Sequence, residues 1–173
     1  MKRATMLLLA AVCCSSIVLM CVCLAFQPVM VSGYSMTPTL DNQELVFTTR
    51  HSDHIRLSRG DIVVARLFPH SGVLVVKRIV GLPGDTVWIS TGTVWVNGRR
   101  LTELYVLPAR VGVGSMATVH VPRGRYFLLG DNRVISHDSR EWGCVEQSAI
   151  VSKVVFACRL STLLRGRARP VGM

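Results

Sequence analysis

One serine of this sequence lies in a segment that can present it as a nucleophile. Ser35 falls within residues 33–40 (GYSMTPTL), where a glycine and a proline predict a tight turn. A serine in such a turn is held at the surface with its backbone N–H free to meet an oxyanion, as acyl transfer requires. The Gly-x-Ser-x-Gly elbow does not account for it, because Thr37 stands where that motif has its last glycine.

A serine nucleophile needs a base, and Lys77 is the candidate. The chain has three lysines against seventeen arginines, and Lys77 lies inside the apolar run of residues 73–80 (VLVVKRIV). Alternation along a strand puts it on the face of Val73, Val75 and Ile79. Apolar neighbours disfavour the ammonium ion, so its pKa falls and the neutral amine becomes available as a base. The alternative is a strand lysine that simply points to solvent.

The histidines of the chain do not form a better catalytic pattern. They are His51, His54, His70, His120 and His137, and they lie in loops or polar stretches. The adjacent His137, Asp138 and Ser139 cannot fold back into a triad. The cysteines of the N-terminal apolar run show no metal-ligand context, so we expect no metal and no cofactor.

The first forty residues differ in composition from the rest of the chain. After Lys2 and Arg3, no charged side chain occurs before Asp41. Residues 4–26 (ATMLLLAAVCCSSIVLMCVCLAF) are apolar and long enough as a helix to cross a hydrocarbon core of about 30 Å. The core of a cleaved signal peptide, the alternative, is shorter, at about 7–15 residues. The basic flank predicts a cytoplasmic N-terminus and a domain on the outer side of the membrane.

The sequence beyond this anchor has the composition and spacing of β-strands. Short runs rich in valine and isoleucine alternate with turn signals such as Arg59-Gly60-Asp61, Ser71-Gly72, Thr91-Gly92 and Asn97-Gly98. No later segment shows a sustained period of 3.6 residues. We therefore expect a mainly β protein, with an antiparallel folded-sheet or barrel-like catalytic domain on a single N-terminal transmembrane helix.

Three parts follow from this pattern. We expect an anchor helix over residues 1–28, an all-β domain over 29–158, and a basic tail over 159–173. Residues 101–118, which include Pro108, have the composition of a loop insertion. Spacing alone leaves open whether Cys144 and Cys158 in the domain form a disulfide.

The net charge of +10 does not by itself indicate a nucleic-acid partner. The arginines are spread through the domain, and the one acid-free cluster is the tail, which contains Arg159, Arg165, Arg167 and Arg169 and three leucines between the first two of them. Beside a membrane anchor, such a tail suits anionic lipid headgroups, and a solvated terminus is the alternative. We expect membrane lipids, and no nucleic acid, among the partners.

Four sequence blocks resemble, in order, those of the type I signal peptidases, which are membrane-anchored Ser-Lys endopeptidases. The blocks are residues 33–40, 60–64 (GDIVV), 76–85 (VKRIVGLPGD) and 130–143 (GDNRVISHDSREWG). Short pairs such as Ser-Met and Gly-Asp recur by chance, but four blocks in order make a specific match.

The resemblance implies roles for individual residues. Ser35 attacks the scissile carbonyl, and Lys77 takes its proton and later delivers one to the leaving amine. The supporting residues it implies are Ser136, which orients the lysine amine, and Asp131 and Asp138, which pair with Arg78 and Arg140.

Three positions depart from the family pattern. Gly33 stands where some bacterial members have a serine, so a side-chain hydroxyl in the oxyanion hole must come from elsewhere or be absent. Val134 and Ile135 replace residues that are often polar in the last block.

The resemblance further implies removal of signal peptides from preproteins with small residues before the cleavage site. The expected place is the outer face of the plasma membrane, with the mitochondrial inner membrane as the alternative. Two other functions compete with this one. A self-cleaving repressor is also a Ser-Lys protease, but it needs a DNA-binding domain where this chain has apolar residues. A catalytically inert, membrane-tethered β module is the third possibility.

Overall fold

A computed structural model of the chain describes residues 2–49, 56–67, 72–110, 112, 114–158 and 169–170. Helix α1 spans Lys2–Ala25, and a short helix α2 spans Ser139–Trp142. The strands are β1 (Phe26–Met30), β2 (Leu45–Thr49), β3 (Ile62–Arg66), β4 (Leu74–Gly81), β5 (Thr86–Ser90), β6 (Thr93–Val96), β7 (Arg99–Arg100), β8 (Met116–His120), β9 (Arg125–Leu129), β10 (Val145–Glu146), β11 (Ile150–Cys158) and β12 (Arg169–Pro170).

Helix α1 is shorter than the predicted anchor helix of residues 1–28. It ends at Ala25 because Pro28 has no N–H to donate within a helix and disfavours helical geometry in the residue before it. The chain continues instead as β1, which pairs antiparallel with β2. Within the described part of the chain, no helix combines the length and the apolar character needed to cross a membrane.

The strands form two antiparallel sheets, which confirms the expectation of a mainly β, antiparallel fold. The first sheet has the order β1-β2-β11-β3-β4-β9-β10, with β12 beside β11, and the second has the order β7-β6-β5-β8. Strand β11 changes register against both β2 and β3. Such irregularities bend a strand and increase its twist, so the first sheet curls.

The predicted hairpins of the second sheet are confirmed. Strands β5 and β6 flank Thr91-Gly92, and their register places Trp88 directly opposite Trp95. The two rings stack with centroids 5.7 Å apart. Asn97 and Gly98 turn the chain from β6 to β7, and both have the positive φ that a tight hairpin turn requires.

Buried apolar side chains join these layers. One cluster packs the second sheet against the first and includes Val80, Val87, Val94, Phe127 and Leu129. A second cluster holds the segment that contains Ser35 against the first sheet through Met36 and Leu40. A third fills another part of the first sheet around Ile79 and Leu128. The strands that carry the candidate site residues therefore lie within the core.

The predicted loop insertion over residues 101–118 is too long at its C-terminal end. Residues 116–118 belong to β8, because the alternating segment Met116–His120 pairs with β5. Among the described residues before it, Pro108–Arg110 form one turn of 3-10 helix. The predicted basic tail lies outside the described residues except for β12, which pairs with Phe156 and Ala157 of β11. Cys144 is a free thiol, so it is not joined to Cys158.

Candidate active site

Two residues from distant parts of the chain meet at the middle of strand β4. The Nζ atom of Lys77 donates a hydrogen bond of 2.8 Å to the Oγ atom of Ser35. When the amine is neutral, the same separation allows the serine hydroxyl to donate to the nitrogen instead. The predicted nucleophile and base therefore lie within proton-transfer distance.

Lys77 is buried, with 4% of its surface exposed. It lies opposite Val63 of β3 and on the same strand as Val75 and Ile79. The prediction that Val73 shares this environment is wrong. Strand β4 begins one residue later, and Val73 is 52% exposed. The other expected apolar neighbours belong to the cluster around Ile79.

The burial of Lys77 favours the neutral amine. Burial lowers the pKa of the lysine from its ordinary value of 10.5, because an ammonium ion is poorly solvated in the interior. The carboxylates of Asp138 and Asp131 act in the opposite direction, and the nearby Arg140 lowers the pKa further. A lysine whose pKa is lowered by its surroundings is suited to act as a general base.

A tight turn presents the serine to the lysine. The hydroxyl of Thr37 donates to the carbonyl of Tyr34 over 2.8 Å, and the N–H of Leu40 donates to the carbonyl of Met36 over 2.9 Å. Met36 and Leu40 are fully buried, so they fix the turn on the first sheet. Ser35 is thus held between an exposed Tyr34 and a buried Met36.

Gly33 affects what can stabilise an oxyanion at this site. It has a φ of 103°, which favours glycine, and its N–H donates to Oδ1 of Asn42 over 2.9 Å. The position therefore supplies neither a side chain nor a free amide. Among the residues that the structure describes, none accepts a hydrogen bond from the N–H of Ser35. The backbone N–H of Ser35 itself is therefore available to donate a hydrogen bond to an oxyanion.

Asn132 fastens the nucleophile turn to the last sequence block. Its N–H donates to the carbonyl of Ser35 over 2.9 Å. Its Nδ2 atom donates to the carbonyl of Tyr34 and to Oγ1 of Thr37, each over 3.2 Å. Asn132 is not among the residues predicted from the sequence, although its position beside Asp131 in the block of residues 130–143 is a signal that could have indicated it.

The predicted pair of Arg78 and Asp131 is present and buried. Arg78 donates from Nε to Oδ1 over 2.8 Å and from Nη2 to Oδ2 over 2.6 Å, so the pair is bidentate. A further guanidinium nitrogen donates to the carbonyl of Gly60 over 2.7 Å. Thr39, from the nucleophile turn, donates a short hydrogen bond to the same carboxylate. This pair therefore ties β4, the last block and the nucleophile turn together.

The predicted pair of Asp138 and Arg140 is also present. Nε of Arg140 donates to Oδ1 of Asp138 over 2.7 Å, and its Nη2 atom donates to the carbonyl of Ser136 over 2.9 Å. Asp138 also accepts from the N–H of Gly130 over 3.0 Å and caps the start of α2. Its buried carboxylate is thereby held beside β9 and close to the lysine.

Ser136 lies in the site, but its hydroxyl is not bonded to Lys77. The residue is 5% exposed, and among the described residues its Oγ atom has no hydrogen-bond partner. It packs against Gly130, where a Cβ atom would collide with Ser136 and would lie 2.6 Å from the carbonyl oxygen of Ser35. Its expected role in orienting the lysine amine stays a prediction.

A sizeable cavity of the described chain lies away from Ser35 and Lys77. It has a volume of about 760 Å³, and its lining includes Arg66, Trp142 and Cys144 but neither Ser35 nor Lys77. Ser35 and Lys77 together form a dyad. Its geometry supports attack by a serine hydroxyl on an acyl carbon, with a buried amine as the base and without a histidine.

Comparisons with known proteins identify the family to which the chain is similar. The chain matches the family model described as signal peptidase, peptidase S26, over residues 3–158. Signal peptidase I of Bacillus amyloliquefaciens is 39% identical over 143 residues, which cover 76% of this chain and 74% of that protein. Signal peptidase I T of Bacillus subtilis (strain 168) has the same identity and the same coverage.

A solved structure is also similar. The crystal structure of a signal peptidase I from Enterococcus faecalis V583 is 34% identical, with a TM-score of 0.48 over 57% of this chain and 96% of that chain. The family match extends over most of the chain and includes both Ser35 and Lys77. The chain therefore belongs to the signal peptidase family, peptidase S26.

Proposed function

We propose that this protein is a signal peptidase I, a serine endopeptidase that removes N-terminal signal peptides from preproteins. The observation that carries the proposal is the hydrogen bond of 2.8 Å between Lys77 and Ser35, with the lysine buried. Membership of the S26 family and the similarity to signal peptidases of Bacillus support the same activity.

The first half of the proposed reaction forms an acyl-enzyme. The neutral amine of Lys77 takes the hydroxyl proton of Ser35 while Oγ bonds to the scissile carbonyl carbon. The backbone N–H of Ser35 stabilises the resulting oxyanion. When the intermediate collapses, the peptide C–N bond breaks and the lysine ammonium gives its proton to the departing amine of the mature protein. The signal peptide is left as an ester on Ser35.

The second half repeats the same steps with water. Lys77, again neutral, takes a proton from a water molecule that attacks the ester carbonyl. The ester bond to Oγ breaks, and the proton returns to Ser35. The carboxyl end of the signal peptide is released, and both residues recover their starting states.

The supporting roles belong to the same proposal. Ser136 orients the lysine amine from its buried position beside Gly130. The ion pairs of Asp131 with Arg78 and of Asp138 with Arg140 hold the last block against β4. Because each carboxylate is itself buried and is held in an ion pair, both act as structural acids rather than as bases.

Cleavage of a preprotein by the purified full-length chain tests the assignment of the two residues. We expect Ser35→Ala and Lys77→Arg each to abolish cleavage, because the first removes the nucleophile and an arginine cannot deprotonate. Ser90→Ala and Lys153→Arg are matched controls, since Ser90 is exposed and Lys153 forms a partly exposed ion pair with Asp61. Wild-type rates in Lys77→Arg would refute the role of the lysine.

The protein is further proposed to act at a plasma membrane, anchored by α1 with residues 41–173 outside. Support comes from the sequence of residues 4–26, which has no charged side chain, and from the basic residues Lys2 and Arg3 in front of it. Protease added to cells without an outer membrane should digest the domain. Complete protection of the domain would refute this orientation.

The proposed substrates carry small residues at the first and third positions before the scissile bond. Strand β1 lies at an edge of the first sheet and leads into the turn of Ser35, so an extended peptide beside it would send alternate side chains to one side. We expect two shallow pockets on that side, which would exclude large side chains by steric clash. Preproteins with Ala, Ser, Leu and Phe at each position test this specificity, and equal rates for Ala and Phe would contradict it.

A further inference from the structure

The segment between β7 and the 3-10 turn contributes two side chains to the buried polar network beside the dyad. We call residues 101–107 the strap. The sequence predicted them only as part of a loop insertion. Glu103 and Tyr105 point inward, whereas Leu104 between them is 91% exposed. The strap therefore does more than connect two strands of the second sheet.

Tyr105 covers the buried ion pair of Arg78. The central guanidinium carbon of Arg78 lies 3.9 Å from the centroid of the Tyr105 ring. The guanidinium edge meanwhile binds Asp131 and the carbonyl of Gly60. A cation held over an aromatic face is stabilised most where water is excluded, and Arg78 is only 3% exposed. The ring thus closes one face of the ion pair to solvent.

Glu103 links the strap to the last sequence block. Its Oε1 atom accepts a hydrogen bond of 2.8 Å from the Tyr105 hydroxyl and a short one from Nη2 of Arg133. Nε of Arg133 donates to the carbonyl of Gly130 over 3.0 Å. Gly130 is the residue against which Ser136 and the carbonyl of Ser35 pack. A second chain of contacts therefore runs from the strap to the nucleophile.

Both chains of contacts end beside Lys77. Arg78 is its neighbour on β4, and Asp131 is one of the charges that act on its amine. The other groups that face the lysine are Asp138 and Arg140 from the last block and the hydroxyl of Ser35. A change that loosened Arg78 would leave Asp131 less neutralised and would admit water to the lysine.

We propose that Tyr105 and Glu103 are positioning residues, which hold Arg78 and Arg133 so that Lys77 stays dry and aligned with Ser35. This inference rests on the proposed peptidase function. The strap acts through the ion pair and does not touch the reacting atoms.

Replacement of the aromatic ring gives a test that separates positioning from folding. In Tyr105→Leu, we expect water to reach Arg78 and Asp131. The pKa of Lys77 then rises for two reasons: the lysine is less buried, and the carboxylate of Asp131 is less neutralised. Cleavage below that pKa should fall about fivefold or more, and it should return to the wild-type rate once the pH is high enough to deprotonate the lysine. A mere loss of folded protein would not be restored by raising the pH.

The experiment measures kcat and KM for one preprotein across the alkaline pH range. Tyr105→Phe keeps the ring over Arg78 and should restore the wild-type pH profile, while Leu104→Ala is the exposed control within the strap. Thermal unfolding monitors the fold. If Tyr105→Leu does not fold, Tyr105→Met provides the same test, because methionine fills an irregular space more readily.

The outcomes distinguish this inference from the proposed function. A pH profile that is shifted in Tyr105→Leu but unchanged in Tyr105→Phe supports the proposed positioning role of the strap. An unchanged profile, or a loss of equal size at every pH, overturns it while leaving the peptidase assignment intact. Absence of cleavage by the wild type, or cleavage by Ser35→Ala, would refute the proposed function and this inference with it.

Discussion

The N–H of Asn132 donates to the carbonyl oxygen of Ser35 over 2.9 Å, so the backbone of the last sequence block is bonded to the backbone of the nucleophile. The side chain of the same asparagine binds the residues on either side, at Tyr34 and Thr37. The nucleophile turn is therefore held in place by a residue outside the pair of Ser35 and Lys77.

Asn132→Ala should lower kcat more than it raises KM. The alanine keeps the backbone hydrogen bond and loses both side-chain hydrogen bonds, which leaves the turn less well held. Two lost hydrogen bonds, at about 0.5–1.5 kcal/mol each, lower the free energy of unfolding by about 1–3 kcal/mol. Steady-state kinetics and denaturant unfolding measure the two effects. Wild-type kcat in a fully folded variant would contradict the role given to Asn132.

The rate of cleavage should rise with pH along a limb whose apparent pKa lies below 10.5, the ordinary value for a lysine. The reactive form is the neutral amine, and burial of Lys77 lowers its pKa, so deprotonation occurs at a lower pH than in a free lysine. A pH profile of kcat/KM reports this group in the free enzyme. A limb at or above 10.5 would mean that Lys77 is not the titrating base.

Gly130→Ala should impair both folding and activity. The added methyl group would collide with Ser136 and meet the carbonyl of Ser35 at 2.6 Å, so the nucleophile turn or β9 must shift. Overpacking of this kind costs about 1–3 kcal/mol of stability. Gly114→Ala is the matched control, because no atom lies within 4 Å of its added methyl group. Equal stability and activity in the two variants would contradict the close packing at Gly130.

Asp131→Asn should destabilise the protein far more than the corresponding change at an exposed ion pair. Arg78 and Asp131 have side chains only 3% and 1% exposed, and breaking such a pair costs about 3–5 kcal/mol because a buried charge loses its partner. The comparison variant is Glu146→Gln, which breaks the ion pair of Glu146 with Arg125. Both of these side chains are largely exposed, so the expected loss in the free energy of unfolding is about 0–1 kcal/mol. Urea unfolding of the two variants checks the difference. Similar losses in both would show that the buried pair contributes no more than a surface one.

The local features of this protein could be predicted from its sequence. Strands β5 and β6 were recognisable because alternation and the turn at Thr91-Gly92 act over only a few residues. Ser35 and Lys77 stood out for a similar reason, since a serine in a tight turn and a lysine in an apolar strand are unusual in their own surroundings. The helix boundary was predicted less well, because the pairing of β1 with β2 competes with a helix at Phe26–Met30.

The contacts between distant residues were decided only by the tertiary structure. Whether Lys77 meets Ser35, which is 42 positions away, depends on how the nucleophile turn packs on the sheet through Met36 and Leu40. The roles of Asn132 and Tyr105 likewise depend on which segments the strand order β3-β4-β9 brings beside the lysine. Composition marks residues 101–107 as a loop, but nothing local to that loop shows that its tyrosine covers an arginine of another strand. Local patterns depend on the backbone period, whereas such contacts depend on the topology of the whole sheet.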